Sequence, residues 1–255
     1  MRSTIRFVLC ACLVACVGTA RAGSYEDFFA AVERDDVAAV RSLLQRGFDP
    51  NTRDPKSQVG LFLALRAQSM KVADVLALHP STDIDAVNPI AETPLMMAAL
   101  RGDVVWCRRL VAAGARIDRD GWTPLHYAAA GPNGDLVAWL IEQRVRPNVR
   151  SPNGTTPLMM AAGYGNEAGA DVLARSGADP SLRNQQGMNA ADFARSVGRD
   201  ALALKLDRAH VDRLACIHAR RRGAITVHPR TQAVQQPAVC LKWARCQRKP
   251  EGASP

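Results

Sequence analysis

Aromatic side chains are scarce, 5% of 255 residues, while Ala and Leu dominate the apolar share. That mix suits many short helices packed closely through small side chains, and so favours an all-α chain. Lysine is scarcer still, five against 28 arginines. The imbalance fits a GC-rich coding genome as readily as a need for guanidinium chemistry, and carries no functional weight. Acidic residues are missing from one end. From Arg213 to Pro255 nine Lys/Arg face the single acid Glu251, so almost all of the formal charge of +9 sits there.

Catalytic frames are missing as well. None of the five histidines, His79, His126, His210, His218 and His228, lies in a Gly-x-Ser-x-Gly or His-Glu-x-x-His frame. There is no Gly-rich phosphate loop and no Cys-x-x-Cys-His haem attachment, and Asn184-Gln185-Gln186-Gly187 reads as a turn. These absences argue against an enzyme and predict neither cofactor nor metal.

What is present is a chain 47% apolar, long enough to bury a substantial core as one domain or one repeat array. Residues 1–22 read as a signal peptide. Arg2 and Arg6 supply the charge, Phe7 to Gly18 an apolar run too short to cross a bilayer, and Ala20-Arg21-Ala22 an A-x-A cleavage site. Export, to a bacterial periplasm, is the expectation. The alternative is a lipobox at Leu13-Val14-Ala15-Cys16, which would anchor the chain through a lipidated Cys16.

The decisive pattern is a repeat. Thr93-Pro94-Leu95-Met96-Met97-Ala98-Ala99 recurs from Thr123-Pro124-Leu125-His126 and from Thr156-Pro157-Leu158-Met159, at spacings of 30 and 33 residues. Pro at the first helical position needs no backbone N–H and has its φ already set, and the Thr before it can cap free amides. The Ala pair keeps this helix thin enough for close stacking. A Gly such as Gly114 or Gly177 after the second apolar stretch supplies a left-handed stop. One such unit cannot bury its apolar face alone.

These T-P-L-x-x-A-A blocks resemble the ankyrin repeat. The resemblance implies an all-α solenoid of about six helix-turn-helix units over residues 23–210, with loops projecting from one edge. The first unit, around Phe28 to Asn51, lacks the Thr-Pro start. The second departs from the pattern at Val59-Gly60 and carries Pro80 in its turn, and the last begins at Gly187-Met188-Asn189 and ends in a helix alternating with charges, as a terminal cap would. Thr93, Pro94, Thr123, Pro124, Thr156 and Pro157 are motif residues, and the motif implies for His126 a hydrogen-bonding role between neighbouring loops.

By register, the resemblance also implies a partner-binding face made of Arg66, Glu92, Arg101, Arg119, Asp120, Trp122, Asn153, Tyr164 and Met188. Aromatics and Arg of this kind dominate affinity at interfaces. For Trp122 the alternative is local packing across the shortened 30-residue loop.

Cys107, on a second helix, reads as a packed thiol. Residues 211–255 read as a basic, irregular tail, with a helix continuing to about Arg222 as a further possibility. Cys216, Cys240 and Cys246 lie there, and an oxidising compartment favours a disulfide among them. A metal site with His218 matches no common zinc spacing.

The function expected from these features is a protein–protein interaction scaffold in the bacterial cell envelope, whose partner is another protein and not nucleic acid. The alternative is an adaptor in which the tail makes weak contact with anionic membrane or polymer and the repeats act as spacer.

Overall fold

The structure is a computed structural model that describes residues 23–221, and the signal peptide, Cys16, Cys240 and Cys246 lie outside that range. Among the described residues there are twelve helices and no strand beyond one antiparallel bridge, Arg53 to Val59. They form six pairs. In chain order these are α1 (23–33) with α2 (Val37–Gln45), α3 (Gly60–Ala67) with α4 (Met70–Leu78), and α5 (Pro94–Arg101) with α6 (Val104–Ala112). Then follow α7 (Pro124–Ala130) with α8 (Gly134–Glu142), α9 (Pro157–Gly163) with α10 (Glu167–Arg175), and α11 (Ala190–Ser196) with α12 (Asp200–Arg221). No described helix is long and apolar enough to cross a membrane.

The first helices start in register at Gly60, Pro94, Pro124, Pro157 and Ala190, steps of 34, 30, 33 and 33 residues. Their caps follow the chemistry of the motif. Thr93 Oγ1 accepts from the Met96 amide at 3.3 Å and Thr156 Oγ1 from the Met159 amide at 3.4 Å. Asn189 and Asp192 form a reciprocal capping box, each side chain accepting from the other's backbone amide at 2.9 and 3.0 Å.

The described chain divides into two compact units, one running to Met97 with Ala112–Ala115 added, the other comprising Ala98–Val111 and the chain from Arg116 on. In the first unit the core is aromatic at one end, where Phe28 packs against Phe29 and Phe48 with ring centroids 5.2 and 4.6 Å apart. That packing explains the missing Thr-Pro start of the second repeat. A Cβ at position 60 would lie 2.7 Å from Phe28 Cζ and 3.3 Å from Leu76 Cδ1, so only Gly fits beneath the ring. Pro80 follows the C-terminal end of α4 and is accommodated in a turn closed by the Thr82 amide donating to the His79 carbonyl at 3.0 Å.

In the second unit α7 packs on α9 and α9 on α11, with α8 on α10 behind them. Small side chains make this close: Ala128, Ala129, Ala161, Ala162 and, in the equivalent place of α11, Ala194 are all buried. At position 165 a Cβ would fall 1.9 Å from the Ala129 carbonyl oxygen, which leaves room only for Gly165.

α12 passes residue 210, where the repeat pattern fades, and continues helical to Arg221. Leu202, Ala203 and Leu206 are its buried face. Lys205 bridges Glu167 and Asp171 at 3.1 and 2.6 Å, and Arg213 reaches Asp179 at 3.2 Å with both side chains only 20% exposed. Arg199 donates to three carbonyls near the end of α9, including Gly165 at 2.6 Å.

Candidate functional site

The loops between repeats have a common architecture. In Asp54–Gln58, Asn88–Glu92, Ser151–Thr155 and Asn184–Met188 the first amide donates to the fifth carbonyl at 2.9 to 3.1 Å. The fourth residue of each takes a positive φ: Ser57, Ala91, Gly154 and Gly187, with Gly121 in the corresponding place before Trp122. Three of the four begin with an acid or amide whose oxygen accepts from amides further round the turn, as Asn184 Oδ1 does from Gln186 and Met188, each at 3.0 Å. The tips are fixed by their own backbone, so side chains at the fifth position project from a defined base.

One buried imidazole links two of these loops. The Thr155 carbonyl can only accept, so His126 Nε2 carries the proton and donates to it at 3.0 Å. The Thr123 amide can only donate, so Nδ1 is bare and accepts from it at 3.2 Å, with Thr123 Oγ1 at 3.0 Å. Burial pushes the His126 pKa down to about 4, against the pull of backbone hydrogen bonds at Thr155 and Val149. A neutral, fully bonded histidine of this kind holds structure and has no spare atom for chemistry.

On the second unit the inner helices and loop tips leave a groove of about 440 Å³. Trp122, Asn153, Tyr164 and Met188 line it, four of the nine residues that the register assigns to a binding face. Trp122 is half-buried and does two things at once: its ring meets His126 and Tyr127 edge to face, with centroids 5.1 and 6.2 Å away, and it also walls the groove. Tyr164, at the C-terminal end of α9, is 63% exposed.

A model of three ankyrin repeats matches residues 61–151, and a single ankyrin-repeat model matches 153–185. The chain belongs to the ankyrin-repeat family. Among curated proteins it is similar to protein glp-1 of Caenorhabditis elegans, 26% identical over 66% of this chain and 17% of the relative. It is also similar to neurogenic locus notch homolog protein 1 of Xenopus tropicalis, 30% identical over 48% of this chain and 5% of the relative. The chain thus spans less than a fifth of either relative's length. Among solved structures, one from the complex of a predatory endopeptidase of Bdellovibrio bacteriovorus with an immunity protein superposes with a TM-score of 0.59. It is 26% identical and covers 71% of this chain and 97% of its own. Ankyrin repeats indicate protein–protein interaction, and proteins built from them are in general binding scaffolds.

The remaining ankyrin register positions are not among the groove's lining residues. Arg66 donates to Gln58 at 2.9 Å and lies over the Phe62 ring at 5.8 Å, and Glu92 accepts from Asn88 Nδ2 at 2.8 Å. Asp120 is 3.6 Å from Arg146, Arg119 is half-buried, and Arg101 is exposed in the last turn of α5.

Six groove residues are absent from the register assignment, Thr155, Asn184, Gln186 and Ser196 with the two large apolar ones, Met160 and Phe193. Each of these two is the fourth residue of its inner helix, the position of Tyr127 in α7, and the large side chains recurring there were the available signal.

The other sequence candidates are structural. Cys107 is fully buried, and desolvation first, the nearby Asp103 charge second, push its thiol up to about 12. No group of three or more potential metal ligands occurs among the described residues.

Proposed function

We propose that this chain is an exported scaffold of the bacterial cell envelope that holds another protein in the groove between Trp122 and Met188. The observation that carries the reading is the convergence of Trp122, Asn153, Tyr164 and Met188, from three successive repeats, on one concavity. The mechanism is rigid display. Loop tips braced by their own hydrogen bonds lose little conformational freedom on binding, so more of the contact energy is kept as affinity. The similar structure comes from a complex of a bacterial endopeptidase with an immunity protein, which supports a protein as the partner. Export rests on the charged start, apolar run and A-x-A site of residues 1–22. Intact mass of the native protein separates cleavage after Ala22 from lipidation at Cys16.

The test is capture from envelope extract with the mature protein beside a Trp122→Ala, Tyr164→Ala double variant. The expected result is a partner, identified by mass spectrometry, that the double variant fails to retain at unchanged helical circular dichroism. Equal retention by both proteins would remove the groove from the account.

A further inference from the structure

We infer that the groove's occupant is an uncharged peptide segment of the partner, presenting a large apolar side chain flanked by free backbone carbonyls, and that charge plays no part in its recognition. This rests on the groove being the binding surface, as proposed above.

The lining itself makes the case. Among the described residues no Asp, Glu, Lys or Arg lines the cavity; its walls are aromatic, thioether, amide and hydroxyl groups. The acid beside Phe193 in the chain is already matched: Asp192 lies 3.0 Å from Arg195 and 3.4 Å from Arg183. A charged ligand group entering here would lose its hydration without gaining an opposite charge, an unfavourable exchange.

The apolar surface is of an adaptable kind. Met160 and Met188 are half-buried and Phe193 stands beside them, so flexible thioethers can fit a bulky aliphatic or aromatic side chain against a fixed ring.

Neutral donors are also to hand. Asn153 uses its carbonyl oxygen within the loop, accepting from Ser151 Oγ at 2.5 Å and the Thr155 amide at 3.2 Å, while its Nδ2 makes no hydrogen bond among the described residues. Tyr164 Oη likewise makes none. These two groups suit the carbonyl oxygens of a peptide backbone. Asn184 is different: both its side-chain atoms are engaged within its own loop, so it serves as floor.

The test uses the full mature chain and blocked peptides of Gly, Ser and Asn with one central residue, Leu, Met or Trp in one set and Asp or Lys in the other, titrated at low and high salt. The apolar-centred set is expected to bind at least about tenfold more tightly than the charged set, the scale of one well-filled pocket. Its Kd should move by less than about twofold with salt, since no ion pair is there to screen. Tyr164→Ser, at an exposed position, and Met188→Lys should each weaken that binding by about tenfold at unchanged circular dichroism. Preference for charged peptides, strong salt dependence, or no saturable binding of any peptide would overturn the inference. If the Trp122, Tyr164 double variant still loses the partner in that event, the groove reading survives and only the occupant's chemistry falls. If partner binding is also unaffected, both fall.

Discussion

His126 Nε2 lies 3.0 Å from the carbonyl oxygen of Thr155, two loops tied by an imidazole that is wholly shielded from solvent. The His126 pKa is lowered from 6.5 to about 4. The unfolded chain therefore takes up a proton that the folded chain refuses. The stabilisation is fully present above pH 6.5 and is lost as pH falls towards 4. Its scale is about 3 kcal/mol. His126→Gln should be clearly less stable than wild type at neutral pH, and urea unfolding should show the gap narrowing between pH 6.5 and 4. A gap that does not change with pH would mean that the ring titrates alike in the folded and unfolded chain.

The Gly60–Phe28 contact predicts coupling between residues of adjacent repeats. Gly60→Ala should cost about 1–3 kcal/mol, as overpacking does. Phe28→Leu removes the ring that the new Cβ meets at 2.7 Å, so the pair should be less destabilising than the sum of the singles in a double-mutant cycle. Strict additivity would show that the ring does not fill that space.

Cys107 should resist alkylation in the folded protein at mildly alkaline pH, because the thiolate is suppressed and the sulfur is buried. Peptide mass mapping should find it unmodified until denaturant is added. Rapid native labelling would contradict its place in the core.

Arg213 and Asp179 form a partly buried pair that fastens α12 to the turn after α10. Arg213→Ala should speed amide exchange in residues 208–221 and leave α7 to α10 unchanged. Removing residues 222–255 should preserve partner capture, whereas the adaptor alternative predicts its loss.

Local chemistry made much of this fold legible. Thr-Pro starts, Ala pairs and the glycines after the second helices act within a few residues, and they mark α5, α7 and α9 without any tertiary knowledge. Gly60 was not legible in that way, since the ring that demands it is 32 positions earlier in the chain. The length of α12 was legible only as a possibility, a helix continuing to about Arg222, and it ends at Arg221. Its sequence loses period after Asp207, and its continuation is braced by Asp179 on another repeat. For the groove, register names four of the lining residues, Trp122, Asn153, Tyr164 and Met188, because the repeat carries loop position with it. It did not mark the fourth helix position, which is buried at Met97 and half-buried at Met160 and Phe193. Trp122 packs on His126, as its local alternative expected, and also lines the groove.

Hydrogen exchange of the mature chain, free and bound to its captured partner, tests the central claim most directly, since it shows where the partner sits without any substitution. The account predicts new protection in the loop tips at 151–155 and 184–188 and at the ends of α9 and α11, with α8 and α10 unaltered. Protection confined to α8 and α10, or to residues 222–255, would contradict it.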